Sequence, residues 1–180
     1  MPRVTRLALV AALLAGALAV AGCGEDEEEL DVIEGEPVEL GELRYNVQIT
    51  RFLNPNDPED EAYLVGQPDA SPDEEYLGVF MTVENESDSS VQLPNEMTVV
   101  DTRNNTYEPR ESKSVYALEL GATLEGGDEL PAPDTPAATG PINGAMGLFL
   151  VNRSVTENRP IELEIPSSTG GEEARVELDI

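Results

Sequence analysis

The sequence predicts an all-β protein built as an antiparallel β-sandwich, and three observations support this prediction. From Val38 onward, apolar and polar residues alternate along most apolar runs, as they do in strands that bury one face and expose the other. The breaks between these runs are rich in Asn, Asp, Ser and Gly, which favour turns. No long run has helical periodicity and no internal repeat is present. Two packed sheets are the arrangement that buries such apolar faces.

The strands follow from the individual runs. The clearest alternation places four apolar residues on one strand face: Leu77, Val79, Met81 and Val83. Tyr45, Val47 and Ile49 share a face in an earlier strand, and residues 161–165 and 176–180 alternate in the same way. Residues 145–151, AMGLFLV, are apolar throughout, which predicts a central strand buried on both faces. Val99 and Val100 indicate one further short strand.

The turn-prone segments predict one hairpin and two long excursions. Arg103-Asn104-Asn105 separates Val99-Val100 from Thr106-Tyr107, which is the spacing of a hairpin. Residues 54–75 are rich in proline and acidic side chains, and residues 110–141 are interrupted by Pro and Gly. Inside the second excursion, Val115 and Leu118 are spaced to line one side of a short helix over residues 111–120.

The N-terminus has the layout of a signal peptide. Arg3 and Arg6 precede a fourteen-residue apolar run at 7–20, and Val20-Ala21-Gly22 then leads to Cys23. The run is shorter than the ~20 residues that a transmembrane helix needs. The segment VAGC resembles the lipobox of bacterial lipoproteins. That resemblance implies that the thiol of Cys23 is lipidated with palmitate-type acyl chains, and that Cys23 becomes the N-terminus of a mature protein held on the outer side of the cell membrane.

Two other interpretations of the N-terminus remain open: an ordinary secretory signal with Cys23 left free, and an uncleaved N-terminal anchor. With the lipoprotein interpretation, the chain divides into a helical signal peptide (1–22), a lipidated Cys23 with an acidic linker (23–36), and the sandwich (37–180). We expect residues 24–36 to be disordered, because like charges repel and extend a chain. Cys23 is the only cysteine, so the domain forms no internal disulfide.

The charge of the chain is strongly negative. Removing residues 1–22 leaves eight basic side chains against 37 acidic ones, a net charge of −29. Such a surface repels nucleic acid and anionic lipid headgroups, so neither is an expected partner. The acidity has two interpretations. It keeps the domain soluble, including in salty surroundings, or it attracts cations or a basic partner.

Several segments in order resemble the immunoprotective extracellular immunoglobulin-like superfamily, which includes bacterial lipoproteins with a domain of unknown function and a secreted mycobacterial antigen. The matching segments are YNVQI (45–49), YLGVFMTVENES (76–87), DTRNNTY (101–107), residues 144–151 and residues 161–163. The resemblance covers most of residues 38–180. It implies an immunoglobulin-like β-sandwich outside the cytoplasm, and it brings no catalytic residues.

One loop is a candidate calcium site. Asp57, Glu59, Asp60 and Glu61 follow Asn54 and Asn56 within a short stretch, and Ca²⁺ prefers oxygen ligands of this kind. The spacing differs from the established DxDxDG loop, and Pro55 and Pro58 interrupt it. The alternative is a solvated acidic loop without a metal. No cofactor is expected beyond this Ca²⁺ candidate.

The sequence therefore predicts a membrane-anchored extracytoplasmic lipoprotein that is a non-enzymatic binding or structural module. The chain has no histidine, which excludes a Ser-His-Asp or Cys-His pair and an imidazole metal site. The expected partners are the membrane, through the lipid on Cys23, and a protein or small ligand that the sequence does not identify. We expect a monomer. The alternatives are a calcium-dependent adhesive or surface-stability module and a hydrolase that uses carboxylates alone.

Overall fold

The computed structural model describes residues 28–180, so the predicted signal peptide, Cys23 and residues 24–27 lie outside the described residues. Regular structure in this range is almost entirely β. The strands are β1 (Glu28–Ile33), β2 (Pro37–Leu40), β3 (Leu43–Leu53), β4 (Glu74–Asn85), β5 (Val91–Gln92), β6 (Thr98–Asp101), β7 (Thr106–Tyr107), β8 (Thr123–Leu124), β9 (Glu129–Leu130), β10 (Ala145–Asn152), β11 (Ile161–Pro166) and β12 (Glu172–Glu177). One short helix, α1 (Pro136–Thr139), and a 3-10 turn at Arg153–Glu157 are also present.

The strands form two main sheets that pack face to face. Sheet A has the order β1-β12-β11-β6-β7, and sheet B has the order β10-β4-β3-β2 with β9 paired to the end of β4. Their inner faces share one hydrophobic core, to which both sheets contribute large side chains such as Tyr45, Phe149 and Leu163. The predicted immunoglobulin-like β-sandwich is confirmed. One strand pair differs from the prediction, because β1 and β12 are parallel.

Strands with one solvated face show the predicted alternation of buried and exposed side chains. Ile161, Leu163 and Ile165 are buried, whereas Glu162 and Glu164 are partly exposed. The predicted hairpin is also confirmed, since β6 and β7 are antiparallel and Asn104 adopts a positive φ of 58° in the turn between them.

The prediction for Ile49 is wrong. Tyr45 and Val47 are buried as expected, but Ile49 is 40% exposed and Thr50 is buried in its place. The register of β3 against β4 shifts between Val47 and Ile49. An extra residue in one strand reverses which side chains face inward, so the bulge moves Ile49 to the outer face.

Strand β10 is buried on both faces as predicted, but it is not a central strand. It lies at the end of sheet B and pairs with β4 alone among the named strands. Its other edge is covered by a loop, which forms isolated bridges from Pro109 to Phe149 and from Ala117 to Met146. A loop therefore hides the apolar strand from water where the sequence indicated a neighbouring strand.

The two long excursions build a third layer on the outer face of sheet B. We call residues 54–75 and 109–118 the loop layer. Between this layer and sheet B lies a second hydrophobic cluster, separate from the main core, to which both contribute: Leu53, Tyr63, Leu64, Tyr76, Phe80, Met146 and Leu148. The helix expected over residues 111–120 is absent, and this segment is loop with one bridge to β10. Its backbone hydrogen-bonds with β10, which replaces the bonds that a helix would supply.

The prediction that residues 24–36 are disordered is wrong for the described part, because residues 28–33 form β1. This strand pairs with β12 over six residues, from Glu28 opposite Glu172 to Ile33 opposite Glu177. Leu30 and Val32 pack against the main core. Apolar burial and a full ladder of hydrogen bonds outweigh the repulsion that the acidic composition suggested. Residues 28–33 therefore belong to the sandwich.

Candidate functional site

Cys23, the predicted lipidation residue, lies outside the described residues. Within residues 28–180, no helix is long and apolar enough to cross a membrane. The functional features that the structure does describe are the acidic loop at 54–61, a groove beside β10, a second groove beside Arg153, and a buried carboxylate in the β6–β7 hairpin.

In the acidic loop, Asp60 points inward instead of into solvent. It is 1% exposed, and it forms an ion pair with Arg51 of β3 through a short hydrogen bond from the guanidinium to Oδ1. The second oxygen, Oδ2, accepts the backbone N–H of Asn54 at 2.8 Å. Both oxygens of Asp60 therefore already have partners that close the loop against the strand.

The other candidate calcium ligands do not join Asp60. Asp57 Oδ1 accepts the backbone N–H of Glu59 at 3.0 Å, which is the hydrogen bond of an Asx turn. Glu59 and Glu61 are exposed. Across residues 28–180, no three acidic side chains are arranged so that they would hold a metal ion. The structure assigns Asp57 and Asp60 to turn formation and loop closure.

A groove of about 720 Å³ lies between the outer edge of β10 and the second part of the loop layer. The loop approaches the strand at two points: Arg110 N donates to Leu148 O at 2.6 Å, and Met146 N donates to Tyr116 O at 2.6 Å. Between these points residues 111–115 bow away from the strand. The bow is fixed from the other side, because Ser114 Oγ donates to Ala62 O at 2.7 Å.

The groove is lined by apolar side chains that are mostly buried and by polar side chains that are exposed. Met97 and Phe149 of the main core meet Met146 and Leu148 of the second cluster there, and Leu118 packs against them. The rim carries several polar side chains: Asn95, Arg110, Glu111, Ser112 and Glu119. A concave surface on which several polar groups converge beside apolar side chains is a candidate site for small ligands or extended peptides.

A second groove, of about 620 Å³, lies beside the acidic loop. It is lined by Phe52 and Tyr76 from the strands, by Asn54 and Asn56 from the loop, and by Arg153 after β10. The backbone N–H of Arg153 donates to Asp73 O at 2.9 Å, which fixes the far wall. This groove is more polar than the groove beside β10, with fewer apolar side chains in its lining.

Asp101 is a buried carboxylate that organises the β6–β7 hairpin. Its Oδ1 accepts backbone N–H groups of Arg103 and Asn105, both at 2.9 Å. Its Oδ2 accepts the side-chain amides of Asn105 at 2.8 Å and Asn158 at 2.9 Å. Burial raises the pKa of Asp101, but the hydrogen bonds from Asn105, Asn158 and Arg103 outweigh it and hold the pKa below 3.8.

This arrangement makes Asp101 a structural group. A general acid or base must exchange a proton with a substrate near neutral pH, whereas Asp101 is saturated with donors and stays ionised. Tyr63 and Tyr76 have pKa values raised above 10.0, chiefly by burial, so their hydroxyls stay protonated. Among the described residues, the groups with perturbed pKa values are therefore poor candidates for acid–base chemistry.

Comparison with known proteins supports the fold. No protein-family model matches the sequence, and no curated protein sequence matches it. Three solved structures are similar: an uncharacterized β-sandwich protein from Clostridium difficile 630 (TM-score 0.52, 11% identity, 86% of this chain and 97% of that chain), the YjhA protein from Bacillus subtilis (0.53, 16%, 82% and 99%), and MPT63, a secreted protein from Mycobacterium tuberculosis (0.50, 13%, 83% and 98%). At these identities the likeness shows a β-sandwich domain. None of the three is described as an enzyme.

Sequence reasoning found the acidic loop and missed both grooves. The ion pair of Asp60 joins residues on a strand and a loop, and the local sequence carried no signal that Arg51 was its partner. The groove beside β10 combines residues from 95–97, 109–120 and 146–149. The run at 145–151, apolar on both faces, was the one available signal, because such a strand requires a cover on its outer face.

Proposed function

We propose that this chain is a lipid-anchored, extracytoplasmic, non-enzymatic binding module that takes its ligand in the groove beside β10. The observation that supports the groove is its construction: the loop layer is tied to β10 at two points and held away from it between them. The signal-like N-terminus ending in Val20-Ala21-Gly22-Cys23 supports the anchor. A sandwich with loops on a rigid scaffold suits recognition.

The anchor is tested by fractionation and mass spectrometry of the full chain expressed in a bacterium that processes lipoproteins. The mature protein should enter the membrane fraction and begin at an acylated Cys23. The Cys23→Ser variant should leave the membrane fraction, because lipid is the proposed means of attachment. Membrane retention of Cys23→Ser, or a mature N-terminus elsewhere, would contradict the proposal.

The groove is tested with a photo-crosslinking amino acid at Ser112, on its rim, in intact cells. A discrete adduct of defined mass should form at Ser112 and not at Glu59, which is exposed in the acidic loop. Leu118→Arg, which places a large charged side chain in the groove, should abolish the adduct while the protein stays folded by circular dichroism. Equal adducts at Ser112 and Glu59 would reject the groove as the binding site.

The calcium alternative is tested by comparing the effects of CaCl₂ and NaCl on thermal stability. At matched ionic strength, CaCl₂ should raise the melting temperature no further than NaCl does, because Asp60 is already paired with Arg51. A saturable gain with calcium, on the order of 2.7 kcal/mol at a hundredfold excess over Kd, that Asp57→Asn abolishes would instead establish a calcium-dependent module.

A further inference from the structure

The position of β1 sets how closely the domain is tied to its anchor. The strand begins at Glu28 and is fixed to β12 over six residues, and the backbone N–H of Glu34 then donates to Glu177 O at 2.8 Å. Only residues 24–27 separate this strand from Cys23. Because a chain spans at most about 3.6 Å per residue, Glu28 lies within about 18 Å of Cys23.

The strand directions show which end of the sandwich this is. Parallel pairing places the start of β1 beside Glu172, at the start of β12, and therefore beside the turn at 167–171 that connects β11 to β12. The β2–β3 turn lies at the same end, since a Cβ placed on Gly41 would sit 3.7 Å from Ser167 Oγ. We call this end, formed by Glu28, the 167–171 turn and Gly41, the tether end.

The acidic loop lies at the opposite end. Strand β3 runs from Leu43, directly after the tether-end turn, to Leu53, directly before the acidic loop. Its eleven residues separate the two ends by about 30 Å at ~3.3 Å per residue. The β6–β7 hairpin also points away from the tether end, because Asp101 is paired with Ile161 and Thr98 with Glu164.

The tether end is acidic on both sides and has one neutral turn. The turn at 167–171, Ser-Ser-Thr-Gly-Gly, has no charged side chain. On the sheet B side of the same end, several exposed residues are acidic: Glu42, Glu86, Asp88, Glu125 and Asp128. Glu28, Glu29, Glu172 and Glu173 lie on the sheet A side of this end, so an anionic lipid surface repels both sides. The short tether at the start of β1, and not charge, therefore determines which side lies nearest the membrane.

We propose that the domain faces the lipid headgroups with the 167–171 turn and the start of β1, and presents the acidic loop and the β6–β7 hairpin away from the membrane. This orientation rests on the proposed lipid anchor. It makes the sheet A side of the tether end a membrane-facing surface. The groove beside β10 lies on the flank of the sandwich and stays open to a ligand.

The orientation is tested with single fluorescent labels on the lipidated full-length protein in vesicles of phosphatidylglycerol and phosphatidylethanolamine. Lipidation consumes the thiol of Cys23, so Ser168→Cys and Glu59→Cys each provide one labelling site. Energy transfer to a headgroup-labelled lipid should be at least about twofold greater from position 168 than from position 59, because strand length places them about 30 Å apart.

A spacer variant provides the matched control. Inserting about twelve Gly and Ser residues after Gly24 lengthens the tether without touching the domain, and a flexible chain of that length allows the domain to rotate. The difference between the two labels should shrink in this variant. Equal transfer from both positions without the spacer, or greater transfer from position 59, would overturn the orientation. Failure of the unlabelled protein to associate with membranes would instead overturn the anchor.

Discussion

The outer faces of the two sheets meet different surroundings. On sheet A, Glu162 and Glu164 point outward and remain partly exposed to water. On sheet B, Phe80 points outward at the corresponding position and is 0% exposed, because Tyr63 of the loop layer covers it with ring centroids 5.1 Å apart. The domain therefore has three layers, sheet A, sheet B and the loop layer, and only sheet B is covered on its outer face. The loop layer contributes to stability as well as to the groove.

The largest expected effect tests this third layer directly. Phe80→Ala should lower the free energy of unfolding by about 3–5 kcal/mol, because it removes a buried aromatic side chain and leaves a cavity under Tyr63. Chemical denaturation measures the change. Glu162→Ala, on the outer face of sheet A, should change it by less than about 0.5 kcal/mol. Similar losses for both variants would show that the loop layer does not cover a real second core.

The difference between the two faces also explains what the sequence revealed. The alternation of β11 was readable because one side of that strand meets water. In β4, Tyr76 to Met81 are buried consecutively, because residues from 54–75 and 109–118 cover the outer side. The local sequence of β4 does not indicate that its outer face is covered by residues from elsewhere in the chain. The bulge after Val47 depends on the partner strand in the same way.

The acidic segments were harder to interpret from composition alone. Strand β1 was missed because acidic residues surround it, although Leu30 and Val32 have the two-residue spacing of a strand that buries one face. Asp60 was grouped with Asp57, Glu59 and Glu61 as a candidate calcium ligand, because nothing in the local sequence indicated that Arg51 would be its partner. Composition describes the average solvation of a segment, whereas individual partners depend on the fold.

The second prediction concerns the closure of the acidic loop. Asp60→Asn should cost about 1–3 kcal/mol, because it leaves the Arg51 guanidinium without its counter-ion and weakens the bond to Asn54 N. Solvent screens part of this ion pair, because the Arg51 side chain is 35% exposed. Glu59→Gln, an exposed neighbour, serves as the control and should be neutral. If both variants unfold at the same denaturant concentration as the parent, Asp60 does not close the loop.

The third prediction is a pH dependence at Asp101. Its pKa is lower in the folded protein than its ordinary value of 3.8. Its contribution to stability is therefore fully present above that value and is lost as the pH falls through the lower, folded pKa. Asp101→Asn should lower the melting temperature at pH 7, with a cost of about 1–3 kcal/mol for unpaired buried donors. The gap between parent and variant should narrow below pH 3.8. A gap that is constant with pH would contradict the role of the charged form.

The smallest expected effect returns to the open face of sheet A. Glu162 lies directly opposite Glu177 in the β11–β12 ladder, and like charges in such a pair are destabilising. Glu162→Lys should therefore raise stability by about 0.2–1 kcal/mol. Glu59→Lys, in the exposed acidic loop, makes the same change in net charge without a cross-strand partner, and should raise stability less.

Melting curves at low salt and at 1 M NaCl separate the effect of net charge from that of the Glu162–Glu177 pair, because the Debye length falls from ~30 Å at 0.01 M to ~3 Å at 1 M. The gain from net charge should disappear at high salt, whereas part of the gain from the close pair should remain. Equal gains for Glu162→Lys and Glu59→Lys at both salt concentrations would show that overall repulsion, and not the Glu162–Glu177 pair, limits the stability of this face.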